Sequence, residues 1–87
     1  MSVERWSPAR VTAAAPDEAS LRSARGLASP GSWERWGLLG DVLWGLAHGS
    51  GPQPYQVCVQ VFGPAYRCSC PSRKVPCKHA LGLLLLW

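Results

Sequence analysis

The stretch CSCPSRKVPCKH, residues 68–79 of this 87-residue chain, decides the fold. It holds three Cys and one His, which are ligand types that zinc accepts in a closed tetrahedral site. Residues two apart in an extended chain point to the same side, so the first two Cys can converge on one ion from a strand end. A pair of disulfides or inert thiols is the alternative. The residues themselves favour one structural zinc ion, Zn²⁺, and its four predicted ligands are Cys68, Cys70, Cys77 and His79.

The second ligand pair predicts where a helix begins. Cys77 and His79 are two residues apart, and inside a helix that spacing would turn them to different sides, at about 100° per residue. The helix should therefore begin between them. Pro76 supports this start, because proline disfavours a helical residue before it and suits the opening of a helix after it. Leu83 and Leu86 continue the face of His79 and would pack under the site.

The segment before the motif has the pattern of strands. Residues 42–48 are a possible first strand, and residues 55–61 alternate strictly between apolar and polar positions. Gly63-Pro64 predicts a tight turn, and residues 65–70 a return strand. Such a meander is antiparallel, with one face partly in water.

The first half of the chain has weaker signals. The acidic, proline-opened stretch Pro16-Asp17-Glu18 predicts a helix over residues 17–28, and two Trp at helical spacing suggest a short helix near residues 32–38. We therefore divide the chain into a helical and loop lead-in, residues 1–41, and a zinc-binding module, residues 42–87. The predicted fold class is small α+β: an N-terminal helix, a short antiparallel β-meander, and a zinc knuckle leading into a C-terminal helix.

The ligand pattern resembles the SWIM-type zinc finger, whose signature is Cys-x-Cys, a variable gap, then Cys-x-His. Every ligand type matches at residues 68, 70, 77 and 79, and the flanking text from residue 54 to the end is similar to the bacterial branch of that family. The resemblance implies a β-hairpin feeding a short helix around the metal. Members of the family occur in Swi/Snf-type ATPases and Mutator-type transposases, and the resemblance implies an N-terminal portion or fragment of a bacterial protein.

Positive charge is concentrated around the motif. Residues 1–41 carry five basic and five acidic side chains, whereas residues 42–87 carry four basic ones and no acid, so the net charge of +4 lies within residues 67–79. This basic cluster could contact nucleic-acid phosphates. It could equally offset the charge of a zinc–thiolate centre and stabilise the thiolates. Its members are Arg67, Arg73, Lys74 and Lys78.

The apolar C-terminus, LLLLW at residues 83–87, raises a second interpretation. A helix that is apolar all round requires burial, so this end predicts either a fragment of a longer chain or a surface that docks on a protein partner without nucleic acid. A remoter alternative is a Cys-x-Cys thiol redox protein. Four protein ligands leave no open position on zinc, so we expect no enzyme activity and no small-molecule substrate.

The expected location is the cytoplasm. Residues 1–10 lack the apolar core of a signal peptide. The longest apolar stretch has eight residues, against the roughly 20 that a transmembrane helix needs. Thiols stay reduced in the cytosol, which favours metal over disulfides.

Outside the motif, we expect Cys58 to be a small residue on a sheet face and His48 to have a surface or capping role.

Overall fold

The protein, described over residues 3–87 by a computed structural model, is a small α+β domain, as predicted. Four antiparallel strands form one sheet in the order β1-β2-β3-β4, and the chain enters and leaves that sheet through helices. The helices are α1 (Pro8–Ala14), α2 (Glu18–Leu27) and α3 (Lys78–Leu86), and the strands are β1 (Trp33–Leu39), β2 (Val42–Ala47), β3 (Tyr55–Gln60) and β4 (Ala65–Cys68).

Side-chain caps define the first two helices. The Asp17 carboxylate accepts a hydrogen bond from the backbone N–H of Ser20 at 2.7 Å, so α2 begins where the sequence predicted. Helix α1 was not predicted. Its signal is the pair Ser7-Pro8: the Ser7 hydroxyl accepts from the N–H of Arg10 at 3.1 Å, and proline occupies the first turn.

The short helix predicted near residues 32–38 is wrong, because residues 33–39 form strand β1. A β-bulge between Trp33 and Arg35 shifts the register, so that Trp33 pairs with Ala47 and Trp36 with Gly45. Both Trp therefore point to the same face of the sheet, although they are three positions apart in sequence. The bulge gives a strand the side-chain spacing of a helix, and this misled the prediction.

The core lies between the sheet and helix α3. Leu43, Val57 and Val59 on the strands are fully buried. Leu81, Leu83 and Leu84 on α3 are buried as deeply, and α3 contacts β2, β3 and β4 as well as α2. The apolar C-terminal helix thus finds the burial it requires within the chain.

Helices α2 and α3 approach each other closely at Gly82. A Cβ built there would lie 2.9 Å from the Leu27 Cβ and 3.3 Å from the backbone oxygen of Ala24. Helix α2, which belongs to the predicted lead-in, therefore packs directly on α3.

The division of the chain into residues 1–41 and residues 42–87 stays a prediction. None of the helices described within residues 3–87 is long and apolar enough to cross a membrane.

Candidate metal centre

Strand β4 and one residue beyond it position the first ligand pair. Cys68 is the last residue of β4 and lies opposite Val57 on β3. Ser69 then makes two hydrogen bonds to Gln56: its N–H donates to the backbone oxygen at 3.0 Å, and its hydroxyl accepts from the backbone N–H at 2.9 Å. The hydrogen bonding between β3 and β4 therefore continues one residue past β4. These bonds hold Ser69 in place, and Cys68 and Cys70 lie on either side of it.

Helix α3 positions the second pair. Cys77 is the residue before its first turn, with an extended backbone (φ −78°, ψ 172°), and its carbonyl accepts the N–H of Leu81 at 3.1 Å. The helix begins at Lys78, between Cys77 and His79, so the predicted start is confirmed. One extended residue and one helical residue bring the two side chains to the same point.

The four predicted ligand atoms form a compact cluster. All lie within 4.8 Å of one another, and the Cys68 Sγ is 3.8 Å from the His79 Nδ1. A tetrahedral zinc site with Zn–S near 2.3 Å and Zn–N near 2.0–2.1 Å places neighbouring ligand atoms about 3.6–3.8 Å apart. Cys77 and His79 are buried and Cys68 and Cys70 are partly buried. The donor set, three sulfurs and one nitrogen, fits a closed structural site.

Hydrogen bonds shift the pKa values of two predicted ligand sulfurs in opposite directions. The side-chain hydrogen bond from Cys68 lowers the pKa of Cys77 to about 3, helped by the His79 side chain and by backbone N–H groups of Ala80 and His79. The same hydrogen bond, with burial, raises the pKa of Cys68. These shifts favour a thiolate at Cys77 and a thiol at Cys68. Zinc would displace the proton of Cys68, because only thiolates ligate the metal.

Two further contacts brace the site. The rings of Tyr55 and His79 lie 4.9 Å apart between centroids, tilted by 50°. The Lys74 Nζ lies 2.6 Å from a carboxylate oxygen of Asp17, which lowers the pKa of Asp17 to about 2. That carboxylate also caps α2. The ion pair therefore ties the zinc loop, residues 71–76, to helix α2, and sequence reasoning missed it because no local pattern signals it.

The structure distributes the basic cluster around the site. All four side chains are exposed. Arg67 points away from the helices, opposite Cys58 on β3, and shares a cleft of about 230 Å³ with Lys74. Lys78 shares a different cleft, of about 220 Å³, with Lys74. Cys58 is exposed on the sheet face, outside the ligand cluster.

Comparison with known families agrees with this geometry. Residues 57–87 match the family model of the SWIM zinc finger, a segment that contains all four predicted ligands. No curated protein and no solved structure matches the chain. The match and the side-chain cluster together support one structural Zn²⁺ in this segment.

Proposed function

We propose that this chain, whose residues 57–87 match the SWIM zinc finger model, is a non-catalytic module that contacts nucleic acid. The observation behind the metal site is the convergence of four ligand atoms within 4.8 Å. In this proposal one zinc ion joins the end of β4 to the start of α3. Its ligands are Cys68, Cys70, Cys77 and His79.

The coordination chemistry supports a structural rather than a catalytic metal. Catalytic zinc keeps one position open for water or substrate, whereas four protein ligands close the tetrahedron. Cys77 and His79 are each only 4% exposed, so a substrate would meet the partly buried Cys68 and Cys70 first. We infer that the metal shapes the surface around it and takes no part in a reaction.

The charges around that surface favour a polyanion as the partner. Four exposed cations surround the site. Within residues 3–87, one of them, Lys74, is ion-paired, and its partner is Asp17. Arg67, Arg73 and Lys78 remain available for phosphates. The alternative, protein docking through the apolar helix α3, has less support, because that helix buries its leucines within the chain and only its last residues are partly exposed.

A salt titration of nucleic-acid binding tests the partner. Arg73→Ala combined with Lys78→Ala removes two charges and leaves the Lys74–Asp17 pair intact. For each phosphate that the variant no longer neutralises, the slope of log K against log salt should flatten by about 0.7–0.9. The double variant should therefore bind single- and double-stranded oligonucleotides more weakly at low salt, across all sequences.

A matched control removes the same charge elsewhere. Arg22 and Arg25 are exposed on helix α2, so Arg22→Ala with Arg25→Ala should leave the slope near that of wild type. Equal losses of affinity in both double variants would show a general charge effect and no site. Wild-type protein that retains no DNA or RNA at low salt, with zinc bound, would end the nucleic-acid proposal and leave protein docking as the function to pursue.

The proposal requires a reducing compartment, and we place the protein in the cytoplasm. Zinc binds thiolates, and oxidation of the ligand pairs to disulfides would remove the site. All four Cys are free thiols in the structure. We further propose residues 42–87 as the zinc-binding module and residues 1–41 as a lead-in that packs against it through α2 and adds strand β1 to its sheet.

A further inference from the structure

A cleft of about 560 Å³ opens beside the zinc site, between the loop that joins β2 to β3 and the start of helix α3. One wall is the loop at residues 48–50, and another is formed by residues 70–72 at the start of the zinc loop. Leu27 at the end of α2 and Lys78 on α3 complete it. Pockets of about 300–1,000 Å³ hold small molecules, so this cleft has room for a group the size of one nucleotide.

Contacts around Tyr55 hold the loop wall of the cleft in position. The backbone N–H of His48 donates to the backbone oxygen of Ser32 at 3.0 Å. A Cβ built at Gly49 would lie 2.5 Å from Cε2 of Tyr55, so the loop backbone lies directly against that ring. The same ring lies 4.9 Å from the ring of His79, between centroids. Tyr55 therefore joins the loop to a predicted zinc ligand, and these contacts fix the shape of the cleft.

The polar side chains that line the cleft can all donate hydrogen bonds. They are the ammonium of Lys78, the imidazole of His48 and the hydroxyls of Ser50, Tyr55 and Ser72. The Ser72 hydroxyl accepts a backbone N–H at 3.2 Å, so its own proton stays available. Within residues 3–87, the other four side chains have no hydrogen-bond or ion-pair partner. No acid lines this described cleft, so its donors suit a phosphate, whose charged oxygens accept hydrogen bonds.

We propose that this cleft receives one unpaired nucleotide of a single-stranded nucleic acid, with its phosphate towards Lys78 and His48. Leu27, Pro71 and the ring of Tyr55 supply apolar surface for the sugar and base. A duplex keeps its bases paired and stacked, so only its backbone can reach a concave site, whereas an unpaired nucleotide can enter whole. The proposal rests on the nucleic-acid contact proposed above. It adds the form of the partner and extends the interface to residues 48–50.

Binding of the zinc-loaded protein to a thymidine oligonucleotide, alone or within a duplex with its complement, tests the proposal. Ser50→Glu places a carboxylate in the lining of the cleft, so it should weaken single-strand binding by about fivefold or more. Duplex binding should fall less. The matched control is Gln53→Glu, which adds the same charge at an exposed position of the same loop, outside the cleft lining. It should bind both probes as wild type does, and zinc content shows that both variants are folded.

The outcomes separate this proposal from the nucleic-acid contact itself. If Arg73→Ala with Lys78→Ala weakens binding while Ser50→Glu does not, the nucleic-acid contact stands and the cleft is overturned. Equal weakening by Ser50→Glu and Gln53→Glu, or equal weakening of single-strand and duplex binding, also overturns it. Thymidine monophosphate that competes as well as the oligonucleotide would indicate a site for free nucleotides and overturn the single-strand proposal.

Amide NMR shifts give a test that needs no variant. Adding the single-stranded oligonucleotide to zinc-loaded wild type should move the amide signals of residues 48–50 and Ser72 more than those of residues 53–56. The duplex should move the signals of residues 48–50 less than the single strand does. Binding of the single strand with unchanged signals at residues 48–50 would overturn the cleft as its site.

Discussion

The zinc loop and helix α3 are neighbours in sequence, yet different forces hold them. Residues 71–75 are all exposed, and their one aliphatic side chain, Val75, is 68% exposed. Helix α3 begins three residues later, and residues 79–84 are buried. Packing can hold the helix, whereas the loop has one surface ion pair and the ligands at its two ends. The difference shows where a small domain uses metal: at the point where its apolar core ends.

The largest effect should come from removing one ligand. Cys77→Ser opens the tetrahedron, so zinc content should fall from one ion per chain to near zero. Structural zinc contributes an apparent ~10–16 kcal/mol near neutral pH, against ~5–15 kcal/mol for the total stability of a typical domain. The variant should therefore lose the fold of the loop. Elemental analysis and thermal unfolding measure both results.

Cys58→Ser is the matched control for that prediction. Cys58 is an exposed thiol on β3, outside the ligand cluster, so its replacement should leave one zinc per chain and an unchanged melting temperature. Zero or two zinc ions in the wild-type protein, or zinc retained by Cys77→Ser, would reject the ligand assignment.

A smaller effect should come from the packing between helices α2 and α3. Gly82→Ala adds a methyl group 2.9 Å from the Leu27 Cβ on α2, and such overpacking costs about 1–3 kcal/mol. Gly26→Ala meets no atom within 4 Å and should stabilise α2 by up to about 1 kcal/mol. Denaturant unfolding of both zinc-loaded variants gives the two values. Equal effects would mean that the two helices do not meet at Gly82.

The smallest effect concerns the ion pair between the two regions. The hydrogen bond from Lys74, together with those from Ser20, lowers the pKa of Asp17 to about 2, below the value of about 3.9 in an unfolded chain. A lowered pKa means that the pair adds stability above about pH 4 and loses it as pH falls through about 2. Acid also releases the zinc, so the pair is tested at about pH 7, where wild type should exceed Asp17→Asn in stability and the difference should shrink as added salt screens the pair. A difference that does not change with salt would rule out this contribution.

Sequence reasoning found the site because its information is local. The ligand spacing, the proline before Cys77 and the strand before Cys68 each constrain the backbone within a few residues, and the cluster and the start of α3 followed from them. The ion pair from Lys74 to Asp17 could not be predicted. It joins residues far apart in sequence, and it exists only once α2 packs on α3.

The fold was predicted where periodicity was regular and missed where it was broken. The alternation over residues 55–61 gave β3, and the cap at Asp17 gave α2. Strand β1 was missed because its bulge puts Trp33 and Trp36 on one face with helical spacing. The two-residue turn at Gly40-Asp41, with Gly40 at φ 60°, was the local signal for a hairpin there.

Amide hydrogen exchange with and without a chelator tests the central claim, that zinc stabilises the loop of residues 71–76, which the apolar core does not hold. With zinc removed, protection should fall across residues 66–87 and most steeply in residues 68–79, while strand β3 keeps part of its protection. Loss of the anchor at Cys77 and His79 should also free the end of α3, expose its leucines and cause aggregation. Acid should act in the same way, because the thiolates must take up protons before zinc leaves. Equal protection of residues 66–87 in both states would contradict a structural role for the metal.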